Sequence, residues 1–239
     1  AYDLLIQAES GLCAITGTPE GPGRVGVSVC DIACGMASHA AILEALYHRE
    51  QTGEGRAISS SLFAGMADWM NVPYLQEIYG RSAPTRQGLH HPSIAPYGAY
   101  GTGDGKQIVL AIQNQREWRR LCDEVLILPN LANNPDFREN VARVANRPAL
   151  DSKISEIFGT LKRGEIVRRL REAKIAHGSV NNVADLASHP QLNKVEVETP
   201  EGNVVIIAPP VQIKGTDAAL RPVPALDANG AAIRTEFAG

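Results

Sequence analysis

The 239-residue sequence lacks the features that mark several protein classes. Lysine and arginine number 23 against 26 acidic residues, so the charge balance does not predict a nucleic-acid-binding surface. No uninterrupted apolar run approaches the roughly 18 residues that span a membrane. The segment Ala1–Asp3 also lacks the basic and apolar regions of a secretory signal. We therefore expect a cytoplasmic protein with neither a nucleic-acid nor a membrane partner.

Cysteine and aromatic residues are scarce as well. There are four cysteines, of which Cys30 and Cys34 stand one helical turn apart, and no second close pair or neighbouring histidine completes a zinc site. Small buried thiols in a reducing compartment are the ordinary interpretation of such residues. Aromatic residues make up 5% of a chain that is 44% hydrophobic, which predicts closely packed elements with small side chains between them.

Apolar spacing and turn residues predict a mixed α/β chain with a boundary between residues 81 and 91. The longest predicted helix covers 32–50, where small and apolar residues recur every three to four positions, and the glycines at 53 and 55 end it. A strand, a turn and a second strand are predicted over 97–112. The other predicted elements are helices over 4–16, 63–71, 115–128, 149–160 and 164–173, and strands over 25–29, 56–62 and 203–213.

Asp31 is the strongest candidate for a catalytic residue, because it follows a predicted strand and precedes the long predicted helix. A carboxylate at a helix N-terminus accepts backbone N–H bonds and meets the positive end of the helix dipole. Asp31 is then either an ordinary N-cap, which contributes about 1 kcal/mol, or an ionised carboxylate that acts as a nucleophile or base. The residues alone leave both interpretations open.

Other candidates have weaker patterns. The sequence His90-His91-Pro92 lies in a predicted loop, where a histidine either binds an anion or a metal or has a structural role. The segment Gly101–Gly105 lacks the Gly-Lys-Ser/Thr ending of a phosphate loop, and a hairpin turn explains it better. The basic residues around Arg168 form either a solvated helix face or a coenzyme phosphate site.

Six segments occur in an order that resembles a known family. They are Tyr2–Ala8 with Ser10-Gly11, Thr16-Gly17 with Gly21-Pro22, Val25–Val27 leading to Asp31, His48–Gly55, His91–Tyr97, and Arg143–Arg147. Together they resemble the family III CoA-transferases, a group that includes formyl-CoA transferase and 2-methylacyl-CoA racemase. No single segment is diagnostic, but their order along nearly the whole chain is specific.

The resemblance implies an α/β fold with a Rossmann-like large domain, incomplete here, and a smaller α+β domain. Residues 1–85 would be the later part of the large domain, 86–213 the small domain, and 214–239 a tail returning to the large domain. Roughly the first third of the family has no counterpart, so we expect a C-terminal portion. Subunits of the family interlock, so we expect a homodimer or an assembly with a chain that supplies the missing part.

The resemblance also implies a mechanism. Asp31 occupies the position of the covalent nucleophile, which forms an acyl anhydride and then an aspartyl-CoA thioester. The partners are an acyl-CoA and a carboxylic acid, and coenzyme A enters as a thioester substrate, with no permanently bound cofactor and no metal. The backbone amides at the start of the long helix suit the stabilisation of developing oxyanions.

The remaining site residues follow from the same resemblance. Tyr2 and Asp3 are expected to contact the coenzyme, and His91, Gln113 and Asn114 the substrate. The racemase branch has a histidine where this chain has Tyr2, which favours a transferase over a racemase or epimerase. The absence of glycine in 112–115 disfavours a glycine lid, and with it oxalate or formate as substrate. The segment 68–75 and the His91 loop look most like the branch acting on C4–C5 dicarboxylates. A non-catalytic subunit or inactive paralogue is a further alternative.

Overall fold

The structure is a computed structural model that describes residues 2–211, 213–215 and 220–238. Helices and antiparallel strands are mixed along the chain, which confirms the predicted α/β character. The chain divides into two compact units, residues 1–180 and 181–239. The predicted boundary after residue 85 falls inside the first unit and stays a prediction.

Within residues 2–80 the structure has five helices: α1 (Asp3–Glu9), α2 (Leu12–Ile15), α3 (Val29–Thr52), α4 (Leu62–Trp69) and α5 (Asn71–Ile78). The predicted long helix is confirmed as α3, and it ends where Gly53 takes a left-handed conformation with φ 77°. The single helix predicted over 4–16 is instead two short helices, because Gly11 adopts φ 82° between them. Two-residue strands β1 (Gly17–Thr18) and β2 (Gly21–Pro22) pair after α2.

A small core joins α1, α3 and α4. Cys30, Ala33 and Met66 are buried in it. Helix α4 packs on α3 at Gly65, where a Cβ would be in ordinary van der Waals contact with the Cα of Cys34 at 3.6 Å. This packing fixes the first turns of α3, whereas most of its later turns are exposed.

Helix α3 is also long. Among the described residues it is the one helix whose length of 24 residues and apolar composition would suffice to cross a membrane. Its apolar residues are interrupted by Asp31, His39 and Glu44, so it contains no continuous apolar run of that length. One such helix is weak evidence for a membrane span, because core helices of soluble proteins and signal sequences meet the same two criteria, and 11% of its most apolar 18-residue window is buried here.

The strands predicted over 25–29 and 56–62 are wrong. Residues 24–28 and 54–61 have no regular secondary structure, and α3 begins at Val29. A strand needs a neighbour that accepts and donates its backbone hydrogen bonds. Within the described part of the chain no strand pairs with either segment. The apolar alternation of these segments was real, but it does not form a strand without a partner.

An antiparallel sheet in the order β3 (Tyr97–Gly101), β4 (Gln107–Ala111) and β5 (Ala176–Ser179) anchors the rest of the first unit. The predicted strand–turn–strand is confirmed, with Tyr97 opposite Ala111 in the register. The accompanying helices are α6 (Gln115–Arg120), α7 (Asn140–Ala145), α8 (Arg147–Thr160) and α9 (Arg163–Glu172). Trp118 and Phe158 are fully buried in the larger core that these elements share. The helices predicted over 149–160 and 164–173 are confirmed as α8 and α9.

The helix predicted over 115–128 is interrupted. After α6 the chain continues as a π-helical turn, Leu121–Val125, and Ile127 then adopts φ 57°. A β-branched residue in the left-handed region cannot continue a right-handed helix. A 3₁₀ helix, Pro129–Asn133, follows.

The second unit contains α10 (Val183–Ala187), β6 (Lys194–Thr199), β7 (Gly202–Ile207) and α11 (Gly230–Glu236). Strands β6 and β7 form an antiparallel hairpin. The strand predicted over 203–213 is confirmed as far as Ile207. In the predicted tail, residues 216–219 and 239 lie outside the described residues, as does residue 212 before it.

An ion-pair network on α9 gives a prediction for acid stability. Arg168 and Arg169 both donate to the Glu165 carboxylate at 2.8 Å, and these bonds lower the pKa of Glu165 from 4.5 to about 2. Because the ionised form is stabilised in the folded protein, this stabilisation is present above pH 4.5 and is lost as the pH falls toward 2. Glu165→Gln should lower the thermal midpoint by less than about 4 °C near neutral pH, since exposed pairs contribute little.

The measurement is the thermal midpoint of both proteins as a function of pH. The difference should shrink as the pH falls below about 4.5. Glu156→Gln is the control, because Glu156 on α8 is exposed and makes no such pair. A difference that stays constant through the acid range would contradict the assignment.

Candidate active site

Asp31 lies in the first turn of α3, two residues after the first helical residue. It is exposed, whereas its neighbours Cys30 and Ala33 are buried, with 0% and 3% exposure. The backbone beneath the carboxylate is therefore fixed in a core while the carboxylate is accessible. Ser28 occupies the N-cap position, so the interpretation of Asp31 as an ordinary N-cap is wrong.

Two side chains of α1 hold this turn. Asp3 Oδ1 accepts a hydrogen bond from the Cys30 N–H at 2.8 Å, and Asp3 Oδ2 accepts one from Gln7 Nε2 at 2.7 Å. Burial acts to raise the pKa of Asp3, but these donors outweigh it and hold the pKa below its ordinary value. Ser28 makes no side-chain cap bond, so the ionised Asp3 caps the helix in its place.

The amides at the start of this helix, which were expected to stabilise an oxyanion, are mostly engaged within the protein. The amides of Val29 and Ile32 donate to backbone carbonyls at the helix start, and the Cys30 amide donates to Asp3. The Asp31 amide also contributes to the low pKa of Asp3. Three of the four amides in residues 29–32 thus donate within the protein.

Cys30, the cysteine next to Asp31, is not a rival nucleophile. Burial and the adjacent Asp3 carboxylate raise the pKa of the Cys30 thiol to about 11, so it stays protonated at neutral pH. Cys34, one turn further along α3, has its Sγ 3.3 Å from Ser60 Oγ. Cys30 and Cys122 are buried and Cys13 is half-buried, as is Cys34, so the predicted buried thiols are confirmed for two of the four.

Tyr2 and His91 differ in how many contacts hold their side chains. Tyr2 precedes α1, and its side chain is 80% exposed. The His91 ring stacks on Tyr97 with centroids 5.1 Å apart, and its Nδ1 accepts the Ser93 N–H at 3.2 Å. Arg147 Nη2 donates to the His91 carbonyl at 2.6 Å. The neutral imidazole therefore carries its proton on Nε2, which is a hydrogen-bond donor held in a fixed direction.

Gln113 and Asn114 follow β4 and differ in what they contact. Asn114 Oδ1 accepts the Glu117 N–H at 3.0 Å as the N-cap of α6, and its Nδ2 donates to Glu117 Oε1 at 2.9 Å. The Gln113 N–H donates to the same carboxylate at 2.7 Å, and the residue is exposed. Asn114 is thus engaged in starting a helix, whereas the Gln113 side chain is not. The substrate role predicted for both stays a prediction.

The predicted site residues fall into two groups. Asp3 contacts the helical turn that carries Asp31, and Tyr2 directly precedes Asp3 in the chain. His91 lies at one end of the β3–β4 pair, because its ring stacks on Tyr97 and its N–H donates to the Tyr97 carbonyl at 2.9 Å. Gln113 follows the same end, two residues after Ala111, which pairs with Tyr97. Among the described residues no hydrogen bond joins Asp31 to His91 or Gln113. Nor is any group of three or more His, Cys, Asp and Glu in that part of the chain placed to hold a metal ion.

Sequence reasoning missed Gln7 and Arg143 as individual residues. Gln7 is 0% exposed, and its spacing of four from Asp3 on a predicted helix was the signal that could have found it. Arg143 is 2% exposed and reaches Ala95 across 48 residues, for which the sequence holds no local signal.

Comparisons with known proteins bear on the whole chain. A family model described as CoA-transferase family III matches residues 1–230. The chain is 35% identical over 242 residues to an acetyl-CoA:oxalate CoA-transferase from Acetobacter aceti, covering 100% of this chain and 62% of the relative. It is 32% identical over 200 residues to a succinyl-CoA:mesaconate CoA-transferase from Haloarcula hispanica, covering 83% of this chain and 49% of the relative.

The fold matches as well. A crystal structure of a CaiB/BaiF family protein from Brucella suis superposes with a TM-score of 0.82 at 32% identity, covering 99% of this chain and 62% of that one. The chain therefore spans less than two thirds of the length of these relatives. The family model, the identities and the superposition agree over nearly all of its residues, and the chain belongs to the family III CoA-transferases.

Proposed function

We propose that this chain carries the nucleophile of a CoA-transferase for short dicarboxylic acids, and that the nucleophile is Asp31. The observation that carries the proposal is an exposed Asp31 carboxylate on a helical turn whose other residues are buried or hydrogen-bonded. Because the chain spans 62% of its relative, the activity is assigned to the native assembly. We propose that this assembly is a homodimer or a complex that includes the residues corresponding to the remainder of the relative.

In the first half of the proposed reaction, an Asp31 oxygen attacks the thioester carbonyl carbon. A C–O bond forms, the C–S bond breaks, and CoA leaves as the thiolate, giving a mixed anhydride. The thiolate then attacks the Asp31 carbonyl carbon. A C–S bond forms, and the donor acid leaves as a carboxylate that carries one of the Asp31 oxygens.

In the second half the acceptor carboxylate attacks the aspartyl-CoA carbonyl carbon and releases the thiolate. The thiolate attacks the acceptor's carbonyl carbon, and the Asp31 carboxylate leaves with one oxygen from the acceptor. The thioester energy is conserved in each enzyme-bound species, so the sequence of steps requires neither ATP nor a metal. Water must be excluded throughout, because an anhydride hydrolyses readily.

The proposed ligand contacts follow from which groups are accessible. Three of the four amides of the α3 first turn are engaged, so most of the oxyanion donors are proposed to come from outside that turn. The His91 Nε2–H and the Gln113 side-chain amide are proposed to hold the acceptor carboxylate, and Tyr2 to contact the coenzyme. Asn114 stays a weaker candidate, since it caps α6.

The substrate class rests on the relatives' names. One relative is named for oxalate and another for mesaconate with succinyl-CoA, and all three acids are dicarboxylates. The glycine-free segment 112–115 had disfavoured oxalate, but the oxalate relative is 35% identical over the full chain. The proposed acceptor class is therefore C2–C5 dicarboxylates rather than C4–C5 acids alone.

The test supplies the native assembly with acetyl-CoA or succinyl-CoA and with oxalate, mesaconate or glutarate in deuterated water. A new acyl-CoA of the acceptor should form, and butyrate, the monocarboxylate matched in length to succinate, should react at least about tenfold more slowly. Deuterium entering the α-carbon of a 2-methylacyl-CoA without transfer would contradict the proposal in favour of a racemase. CoA binding with neither reaction would identify a non-catalytic subunit.

A further inference from the structure

The Asp3–Gln7 pair on α1 does more than join two helices. We propose that Asp3 and Gln7 are positioning residues that set the direction of the Asp31 carboxylate by holding the first turn of α3. The inference rests on the proposed function, in which Asp31 is the nucleophile. It assigns Asp3 a role other than the coenzyme contact expected from the sequence. We call the Asp3 and Gln7 side chains, with their partners Val25 and Cys30, the α1 clamp.

The α1 clamp is fully bonded. Gln7 is completely buried, and its Oε1 accepts the Val25 N–H at 2.9 Å while its Nε2 donates to the Val25 carbonyl at 3.3 Å. The same Nε2 donates its other hydrogen to Asp3 Oδ2 at 2.7 Å. The Gln7 amide thus gives the backbone of Val25 the partner that a neighbouring strand would have supplied.

The second half of the clamp reaches the nucleophile's own turn. Asp3 Oδ1 accepts the Cys30 N–H at 2.8 Å, one residue before Asp31. The loop before α3 and the first turn of α3 are therefore tied to the same helix through one chain of hydrogen bonds. Gln7 is completely buried, so no water can replace its partners, and the arrangement is rigid rather than adjustable.

The clamp also determines which of the ionisable groups near Asp31 are available to a substrate. The Asp3 carboxylate is ionised and occupied by two donors, so it is not a base for substrate chemistry. The nearby Cys30 thiol stays protonated. Asp31 is left as the exposed carboxylate of this turn, on a backbone that α1 holds in place. A misplacement of about 1 Å at a reacting group costs on the order of 10²-fold in rate.

The test compares Asp3→Ala, Asp3→Asn and the control Glu9→Gln in the native assembly. Glu9 is an exposed carboxylate at the other end of α1. Asp3→Ala should lower kcat by on the order of 10²-fold with KM for the acyl-CoA changed less than about threefold. Asp3→Asn keeps an oxygen acceptor for the Cys30 amide. Its kcat should therefore be at least about tenfold higher than that of Asp3→Ala. Glu9→Gln should match the unmodified protein.

Amide hydrogen exchange gives a readout that does not require turnover. In Asp3→Ala the amides of residues 29–32 should exchange at least about tenfold faster, and in Glu9→Gln they should be unchanged. A tenfold rise in KM with kcat retained would overturn the inference and make Asp3 a coenzyme contact. Unchanged exchange in Asp3→Ala would overturn it as well.

The experiments distinguish failure of the positioning role from failure of the proposed function. If Asp3→Ala transfers CoA at the original rate and Asp31 is still acylated, the clamp is not a positioning device and the proposed function stands. If exchange responds as expected but Asp31 is never acylated, the proposed function fails, and the positioning role fails with it.

Discussion

Asp31→Asn is expected to reduce CoA transfer by at least about 10³-fold, because the amide cannot attack a thioester and no anhydride forms. The fold should be nearly unaffected. Asp31 is exposed and its side chain makes no cap bond, so the free energy of unfolding should change by less than about 1 kcal/mol. The measurement pairs the transfer rate with a denaturant midpoint, which separates loss of chemistry from loss of structure.

Glu44→Gln is the matched control, because Glu44 is an exposed carboxylate on the same helix. It should leave both the rate and the stability unchanged. If Asp31→Asn retains more than about a tenth of the transfer rate, Asp31 is not the nucleophile.

Arg143→Met is expected to cause the largest loss of stability. The Arg143 guanidinium is 2% exposed and donates to three backbone carbonyls: Ala95 at 2.6 Å, and Phe137 and Arg138 at 3.1 Å each. It also lies over the Trp118 ring, 4.7 Å from the centroid. The chain thus uses one side chain to satisfy carbonyls from two loops that no strand or helix pairs.

Methionine fills a similar volume but offers no donor, so the Ala95 and Phe137 carbonyls would be buried without partners, whereas the Arg138 carbonyl keeps its bond from Gln115 Nε2 at 2.7 Å. Each unsatisfied group costs about 1–3 kcal/mol, and we expect a total loss of about 3–5 kcal/mol in the free energy of unfolding. Arg138→Met is the control, since the Arg138 side chain is exposed and only its carbonyl contacts Arg143. A loss below about 1 kcal/mol in Arg143→Met would show that water replaces the guanidinium.

The parts of the fold with strong local signals were predictable. Helix α3 ends at Gly53 and the β3–β4 pair turns at Gly101–Gly105, as the positions of their glycines indicated. The alternation of charged and apolar residues in Lys194–Thr199 also signals β6, which is absent from the elements predicted above. Strand β5 has the composition Ala-His-Gly-Ser and carries no such signal, because its stability comes from pairing with β4.

The candidate site was predictable only in part, and the reason is physical. The position of Asp31 followed from its place before a long helix, together with the family resemblance. Its local geometry did not, because the segment before it is fixed by Gln7 on another helix rather than by a strand. The Cys30 amide is engaged for the same reason, since it donates to Asp3 on α1. Long-range side-chain bonds of this kind leave no periodic trace in a sequence.

Oxygen isotope transfer tests the central claim most directly. The acceptor dicarboxylate is labelled with ¹⁸O in its carboxyl groups and turned over with an unlabelled acyl-CoA. The mass of the peptide containing Asp31 is then measured by mass spectrometry. If Asp31 forms both intermediates, one acceptor oxygen stays on its carboxylate in each turnover, and the peptide becomes heavier by about 2 Da and then by about 4 Da. Accumulation of the new acyl-CoA with no ¹⁸O in Asp31 would contradict the account.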